Sequence, residues 1–300
     1  MFKGLSAFPL TPLIDGRVDQ ASFVSLIERL VKAGVDSIGA LGSTGSYAYL
    51  TREQRRDTTR LAISVSGGIP VMTSIGSPSA DDVLRLADDA QHEGVSGVLL
   101  APVSYQKLSA DEVFSLYEDV TRTISVPLCV YDNPATTGFE FTDELLIALS
   151  QLPHVGSIKL GTLAQDRTTA ARRVARLKEQ VKAGVTIGIS GDAQSLRGLQ
   201  AGCDVWYSVL AGLFPRYFLR LAQAAQDDDR NEIGRLDAPL APLWELFQRY
   251  GSLRVTATMA ELLGVVASPC LPRPLKTLSG QERSQLKALL ETTLRPLLYP

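Results

Sequence analysis

The stretch HVGSIKLG, residues 154–161, is a short apolar run that contains a lysine, Lys159, near its end. Its length and its content of Val, Ile and Leu predict a strand buried on both faces, as in a parallel sheet covered by helices. Seven similar runs occur along the chain, and amphipathic stretches with helical spacing separate them. These runs span residues 4–10, 35–42, 69–75, 95–102, 126–134, 185–190 and 203–210.

The regular alternation of strands and helices predicts an α/β fold. Eight strand candidates with helical connections in about 220 residues are typical of a (β/α)8 TIM barrel. A doubly wound open sheet is the competing architecture, but it more often has fewer strands, and no GxGxxG motif follows the first run. Beyond that region the pattern is helical throughout. We therefore expect a barrel domain over residues 1–224 and a C-terminal α-helical domain over residues 225–300.

Composition excludes several classes of protein. A net charge of −2 argues against a nucleic-acid or membrane-surface partner, which would favour a basic stripe. The three cysteines form no CxxC pair and there are only two histidines, so neither a disulfide framework nor a metal centre is indicated. The N-terminus does not resemble a signal peptide and no apolar run is long enough to span a bilayer. These features favour a cytoplasmic protein.

Lys159 is an unusual residue for a buried strand, because ammonium groups are rarely buried. It would lie at the C-terminal end of the sixth strand, which is where barrel enzymes place their active sites. Burial lowers the pKa of an amine and frees it to attack a carbonyl carbon, which would make Lys159 a Schiff-base nucleophile. The alternative is a lysine that extends its ammonium to solvent or pairs with a carboxylate. The lysine alone does not decide between them.

Two further motifs fall at the same end of the predicted barrel. GSTGS (42–46) follows the second strand, and the hydroxyls of Ser43 and Thr44 could bind an anion such as a carboxylate. Tyr131 ends the fifth strand, where a phenol could transfer protons. Taken separately, each is better explained structurally, as an ordinary turn and as a buried tyrosine. Their coincidence with Lys159 at one end of three strands favours a catalytic site.

These motifs resemble those of the dihydrodipicolinate synthase / N-acetylneuraminate lyase family, which are pyruvate-dependent class I aldolases. The resemblance implies a (β/α)8 barrel with a C-terminal helical extension, in agreement with the strand count. It is carried by AFPLTP (7–12), GSTG (42–45), VSYQK (103–107), YDNPATTG (131–138), IKLG (158–161), ISGD (189–192) and SVLAGLFP (208–215).

The resemblance implies a role for each reactive residue. Lys159 would form the imine with the keto carbon of pyruvate, while Ser43 and Thr44 hold its carboxylate. Tyr131 would be the acid/base that protonates the carbinolamine and exchanges a proton with the aldehyde oxygen. The resulting enamine would attack an aldehyde, and the reverse reaction would cleave a 4-hydroxy-2-oxo acid. No metal or external cofactor is implied.

Three other positions take their expected roles from the resemblance. Tyr105 would reach into the site of a neighbouring subunit and relay a proton through Thr44, which requires a homo-oligomer, either a dimer or a tetramer. Gly191 would line the pyruvate pocket through its backbone. Tyr207 occupies a position that often holds Ile against the pyruvate methyl, so we expect a reshaped pocket.

Thr136 marks a departure that bears on the aldehyde. Dihydrodipicolinate synthases carry an arginine there that grips the carboxylate of aspartate semialdehyde, and a threonine cannot make that bidentate contact. We therefore expect Thr136 to bind a hydroxylated, uncharged aldehyde, as in 2-keto-3-deoxy-sugar-acid aldolases. One alternative is 4-hydroxy-tetrahydrodipicolinate synthase, which condenses pyruvate with aspartate semialdehyde in lysine biosynthesis. Another is a catalytically silent barrel that binds ligands or acts as a scaffold.

Asp192 in the ISGD motif has two interpretations. It could position a substrate hydroxyl, or it could cap the helix that follows. We favour the helix cap.

Overall fold

The computed structural model describes residues 1–295 and contains a closed barrel of parallel strands. Each strand pairs with the next along the chain, and the last pairs with the first. All eight predicted strands are confirmed. They are β1 (Gly4–Ala7), β2 (Ser37–Ala40), β3 (Val71–Ser74), β4 (Gly97–Leu100), β5 (Leu128–Tyr131), β6 (Val155–Leu160), β7 (Thr186–Ser190) and β8 (Val205–Ser208).

Helices connect the strands and cover the outside of the barrel. A short antiparallel hairpin, Leu13–Ile14 with Arg17–Val18, lies between β1 and the first helix. The helices are α1 (Gln20–Ala33), α2 (Arg52–Ser64), α3 (Ala80–His92), α4 (Ala110–Thr121), α5 (Pro134–Thr137), α6 (Asp143–Ser150), α7 (Arg167–Gln180), α8 (Asp192–Gln200) and α9 (Pro215–Gln226). Short 3₁₀ turns occur at Tyr47–Tyr49 and Leu210–Gly212.

Side-chain caps begin several of these helices. Thr51 and Ser109 each form a capping box, in which the hydroxyl accepts from the third helical backbone N–H and that residue's side chain accepts from the cap's N–H. Thr142 also accepts a capping bond, from the amide of Leu145. These bonds set the point at which the chain leaves each loop and turns back along the barrel.

The C-terminal extension is helical, as predicted. Its elements are α10 (Arg230–Asp237), a 3₁₀ turn (Ala238–Leu240), α11 (Ala241–Tyr250), α12 (Ser252–Leu262), α13 (Gly280–Leu289) and a π-helical turn (Leu290–Leu294). Its apolar residues join one continuous cluster with residues of α1 and α9, which include Phe23 and Phe218. The last part of the predicted tail, residues 296–300, lies outside the described residues. The predicted domain boundary at residues 224/225 stays a prediction.

Glu261 connects the segments of this extension. Its fully buried carboxylate pairs with Arg283 of α13 at 2.6 Å and accepts from the Cys270 amide at 3.1 Å and the Thr277 hydroxyl. The long loop between α12 and α13 is thereby attached to both helices.

The inside of the barrel is filled by its own apolar cluster, which includes Phe8, Cys129, Tyr131 and Tyr207. Cys129 and Tyr131 are two residues apart on β5, so both point inward. Two further clusters pack the outer faces of the strands against the helices. Within residues 1–295, none of the helices has the length and apolar character that crossing a bilayer demands.

Candidate active site

Lys159 lies near the C-terminal end of β6, beside Tyr131 of β5 in the strand register. Only 4% of its surface is exposed. Burial lowers the pKa of the amine from its ordinary value to about 7, against the opposing effects of Cys129 and Asp192. About half of the side chains are therefore neutral at pH 7, whereas about one in a few thousand would be neutral in water.

Three aromatic rings surround the Lys159 nitrogen, and we call this group the aromatic cage. Nζ lies 3.8 Å from the ring centroid of Phe8, 4.0 Å from that of Tyr131 and 5.3 Å from that of Tyr207. Ring faces attract a cation but cannot accept its proton. The rings therefore bury the amine. Their faces also attract positive charge, so they would stabilise a cationic iminium at the same position.

The Tyr131 hydroxyl belongs to a small hydrogen-bonded group. The Asn133 amide nitrogen donates to Tyr131 Oη at 2.9 Å, and Ser43 Oγ lies 3.4 Å from the same oxygen. Because an amide NH₂ only donates, the phenol accepts from it and keeps its own proton free for Ser43 or a substrate. Burial raises the pKa of Tyr131 above its usual value, so the phenol is protonated at neutral pH.

The GSTGS loop enters the site through a strained turn. Leu41, which follows β2, has a φ of 54°, a left-handed backbone that L-residues with large side chains rarely adopt. Gly45 lies where a Cβ would approach the Leu41 backbone to 2.8 Å, so the loop folds tightly enough only with glycine there. The turn leaves Thr44 buried and Ser43 half-buried beside Tyr131.

Gly191 follows β7 and is the N-cap residue that precedes α8, with a φ of 81°. The prediction that Asp192 caps this helix is wrong, because Gly191 is the cap residue and Asp192 is the first residue of the helix. The buried Asp192 carboxylate instead accepts from the Trp206 indole at 2.9 Å and the Leu210 amide at 2.8 Å. It thus attaches the start of α8 to β8 and the loop after it.

Tyr207 lies on β8 with its side chain inside the barrel and 1% exposed. Its hydroxyl is 2.6 Å from Ser157 Oγ and accepts from the Cys129 thiol at 3.5 Å. Its ring meets Phe8 edge to face, with centroids 5.9 Å apart. The large side chain expected near the substrate therefore stands beside the Lys159 amine.

Tyr105 and Thr136 lie apart from this group. Tyr105 is 94% exposed in the loop between β4 and α4. Thr136 is exposed on α5, and its hydroxyl donates back to the Asn133 carbonyl at 3.4 Å. The structure thus brings together Lys159, Tyr131 and Ser43 and leaves Tyr105 and Thr136 apart, and the roles of all five stay predictions.

Sequence reasoning missed two members of the site, Phe8 and Asn133. Phe8 follows β1 in the AFPLTP motif, and the period of two from Ser6 would have placed it inside the barrel. Asn133 follows Tyr131 by two residues in YDNP and has only the ordinary signal of a loop residue. Nothing in the sequence pattern indicates that its amide turns back to the tyrosine.

The chain is similar to known proteins over nearly its whole length. Residues 1–293 match the family model described as the dihydrodipicolinate synthetase family. The chain is 26% identical over 293 residues to the 4-hydroxy-tetrahydrodipicolinate synthase of Kosmotoga olearia, which covers 97% of this chain and 98% of that protein.

Solved structures show the same similarity. The dihydrodipicolinate synthase of Agrobacterium tumefaciens is 43% identical, with a TM-score of 0.92 and 97% of each chain covered. A putative dihydrodipicolinate synthetase from Pseudomonas aeruginosa is 27% identical, with a TM-score of 0.88, and the match covers 97% of this chain and 99% of that one.

Proposed function

This chain belongs to the dihydrodipicolinate synthetase family of pyruvate-dependent carbon–carbon lyases, and on that premise we propose that Lys159 is the amine that forms the Schiff base. The single observation that carries this proposal is the enclosure of the Lys159 nitrogen by the aromatic cage at the C-terminal end of the barrel. An amine with a pKa of about 7 is a competent nucleophile at neutral pH.

The first half of the reaction forms the imine. The neutral Lys159 amine attacks the keto carbon of pyruvate, whose carboxylate is held by Ser43 and Thr44 after β2. Tyr131 gives its proton to the carbinolamine hydroxyl, which leaves as water and generates the iminium. The Asn133 amide then stabilises the transient phenolate through its bond to Oη.

The second half forms the carbon–carbon bond. The iminium withdraws electrons, so the adjacent methyl loses a proton to the Tyr131 phenolate, which gives an enamine and restores the phenol. The enamine carbon attacks the aldehyde, and Tyr131 protonates the new alkoxide. Hydrolysis of the product imine returns Lys159 as the free amine, and the same steps in reverse cleave the product. Gly191, whose backbone turns at the end of β7, lines the pocket for the 2-oxo acid.

The aldehyde that these residues favour is uncharged and hydroxylated, as in 2-keto-3-deoxy-sugar-acid chemistry. The loop that follows Tyr131, residues 132–139, contains no lysine or arginine and offers the Asn133 amide and the hydroxyls of Thr136 and Thr137. Neutral donors suit substrate hydroxyls better than a carboxylate, which favours a guanidinium.

Aspartate semialdehyde is the second candidate. It is favoured by the names of the relatives, since 4-hydroxy-tetrahydrodipicolinate synthases match at 25–31% identity. The two candidates are separated by pyruvate consumption with a panel of aldehydes. We expect glyceraldehyde or a longer hydroxyaldehyde to be used at least tenfold more efficiently than aspartate semialdehyde. The opposite order would assign the chain to the second candidate.

We further propose that the protein works as a homo-oligomer in the cytoplasm, with a 2-oxo acid and an aldehyde as its only reaction partners. Family members form oligomers, although a monomeric variant of a dihydrodipicolinate synthase is known. The almost complete exposure of Tyr105 supports a role in a neighbouring site, because a tyrosine ring gains stability from burial. The assembly would be a dimer or a tetramer.

The Schiff base is tested by trapping. Pyruvate and cyanoborohydride are added to the folded enzyme, and peptide mass spectrometry locates the secondary amine that forms. We expect one adduct, on the Lys159 peptide, and none in the Lys159→Arg variant. Folded protein that yields no adduct at Lys159 would overturn the proposal. An adduct without turnover of any aldehyde would support the ligand-binding barrel instead.

A further inference from the structure

A groove of about 350 Å³ lies between α7 and α8, on the outside of the barrel. Its lining comprises Arg167, Thr168, Ala171 and Arg172 from α7, and Arg197, Gln200 and Ala201 from α8 and the residue after it. We call it the arginine groove, because three of these seven side chains are guanidiniums and none is acidic. Its volume falls within the range of about 300–1,000 Å³ that is typical of small-molecule sites.

The ion pairs of α7 lie outside this groove. They join Arg173 to Asp143 at 2.9 Å, Arg176 to Glu144 at 2.8 Å and Lys178 to Asp204 at 2.7 Å. Within residues 1–295, by contrast, Arg167, Arg172 and Arg197 form no ion pair. The uncompensated positive charge of α7 is thus concentrated in the groove, where Arg197 of α8 adds to it.

Asp166 is the carboxylate closest to the groove along the chain. It caps α7, where it accepts from the Thr169 backbone N–H and from the Thr169 hydroxyl, each at 2.7 Å. These two bonds are the main causes of its lowered pKa, and the charge of Arg172 contributes least. Asp166 is therefore engaged at the start of the helix and does not neutralise the groove.

Arg197 has a donor that lacks an acceptor. Its side chain is half-buried, and its Nε is shielded from solvent without a hydrogen-bond partner among the described residues. Such donors are rare, because leaving one unpaired is costly. Gln194, one turn earlier on α8, holds the helix in place through its bonds to the Gly161 carbonyl and the Leu163 amide. An oxygen acceptor bound in the groove would give Arg197 the partner it lacks.

The lining favours a phosphate over a simple carboxylate. Each guanidinium is a planar fork that can give two parallel hydrogen bonds to an oxyanion. A phosphate group has a charge near −2 and three strong acceptor oxygens, so it uses several forks at once, whereas a carboxylate has one charge and two oxygens. The Thr168 hydroxyl and the Gln200 amide add neutral donors at the same place.

We propose that the arginine groove binds a phosphate group, either free or carried by a small molecule, and that the bound anion joins α7 to α8. The proposal goes beyond the proposed function, because the groove contains neither Lys159 nor any other residue assigned to the reaction. The two proposals can therefore fail separately.

Inorganic phosphate is the first probe. The wild-type protein is titrated with phosphate in a calorimeter at fixed pH, with sodium chloride adjusted to keep the ionic strength constant. We expect saturable binding with a Kd in the millimolar range or tighter. Acetate, the matched monocarboxylate, should bind at least about tenfold more weakly. A signal that does not saturate, or equal affinity for acetate, would overturn the inference.

Variants locate the bound phosphate. Arg197→Gln and Arg172→Gln should each weaken binding by at least about tenfold, because each removes charge-assisted hydrogen bonds. Arg176→Gln is the matched control, since it makes the same charge change on α7 at a residue that pairs with Glu144. It should change the Kd less than about twofold. Equal effects of all three variants, or unchanged binding in the two groove variants, would overturn the inference.

Folding of each variant is checked by circular dichroism. Should Arg197→Gln fail to fold, Arg172→Gln decides alone, because its side chain is exposed. Saturating pyruvate should leave the Kd for phosphate unchanged, and competition between them would place the phosphate beside Lys159 and overturn the inference. Glycerol 3-phosphate separates the two sources of the group. Tighter binding than inorganic phosphate supports a phosphate ester as the ligand, and weaker binding supports the free ion.

Discussion

At the scale of single residues, the site depends on a lysine that is buried without being neutralised by a carboxylate. Its nitrogen lies 3.8 Å from the ring centroid of Phe8, and burial brings the pKa to about 7. Tyr131 shows the converse effect, because burial disfavours its phenolate and raises its pKa. A nucleophile that is partly neutral and an acid that is fully protonated can therefore coexist at neutral pH.

The pH dependence of imine formation follows from these two shifts. Only the neutral amine attacks, so kcat/KM for pyruvate should be flat above the Lys159 pKa of about 7 and fall below it, approaching tenfold per pH unit. The profile is measured from about pH 5 to about pH 10.5, which covers the ordinary pKa of lysine. A limb that instead rises up to pH 10 would show an amine with the ordinary pKa of lysine and would contradict the proposed burial effect.

Asn133 should act as a positioning residue for Tyr131. Asn133→Ala removes the donor to Oη, so the phenolate loses about one charge-assisted hydrogen bond and kcat should fall roughly 10-fold or more. KM for pyruvate should change little, because the amide nitrogen bonds Tyr131 Oη at 2.9 Å and reaches Ser43 Oγ only at 3.5 Å. Ala135→Ser, which changes an exposed position of the same loop, is the control. A change confined to KM would contradict the assignment.

At the scale of elements, the site is built from loops that directly follow strands, and α8 connects two of them. Gln194 of α8 donates to the Gly161 carbonyl at 2.7 Å and accepts from the Leu163 amide at 3.1 Å, just after Lys159. Asp192 of the same helix accepts from the Leu210 amide after β8. The position of α8 thus controls the approach of both loops to the amine.

Asp192→Ala should therefore be more damaging than loss of an ordinary helix cap. The change leaves the Trp206 indole and the Leu210 amide without their acceptor, at about 1–3 kcal/mol for each buried donor. Asp166→Ala, which removes an exposed cap at the start of α7, is the matched control and should cost about 1 kcal/mol. Chemical unfolding measures both. Equal losses would show that Asp192 serves only as a helix-terminal residue.

At the scale of the whole molecule, closure of the barrel leaves its eight strands without a free edge, so a second copy would contact loops, helices or the short hairpin. Tyr105 is the most exposed large aromatic side chain among residues 1–295. It lies on a loop at the C-terminal end of β4, the same end of the barrel as Lys159. A second copy that covers this end could place Tyr105 close to a neighbouring amine.

Subunit mixing tests this arrangement. Lys159→Ala and Tyr105→Phe should each reduce kcat strongly, by about 100-fold or more for the lysine. Co-expression of the two chains should restore activity, because one site of each hybrid dimer then contains both an intact Lys159 and a partner's Tyr105. About a quarter of all sites would be competent in randomly assembled dimers. No recovery in isolated hybrids would remove Tyr105 from the neighbouring site.

The sequence by itself determined the architecture and the location of the amine. Short apolar runs at regular spacing can bury both faces only as parallel strands covered by helices, and eight of them suffice to close a barrel. Lysine is rarely buried, so a lysine within such a run can be recognised as unusual from the sequence alone. Ser43 and Tyr131 were within reach of the same argument, because Tyr131 ends β5 and Ser43 lies in the loop directly after β2.

Only the tertiary structure decided what surrounds that amine. Phe8, Tyr131 and Tyr207 are far apart in the chain and become neighbours because β1, β5 and β8 project alternate residues into one closed interior. The direction of the Asn133 amide likewise depends on contacts between different elements. So does the role of Asp192, which accepts from the Leu210 amide after β8 instead of capping α8. Local patterns define which residues form strands and which face they occupy, but side-chain distances across a barrel arise only when the sheet closes.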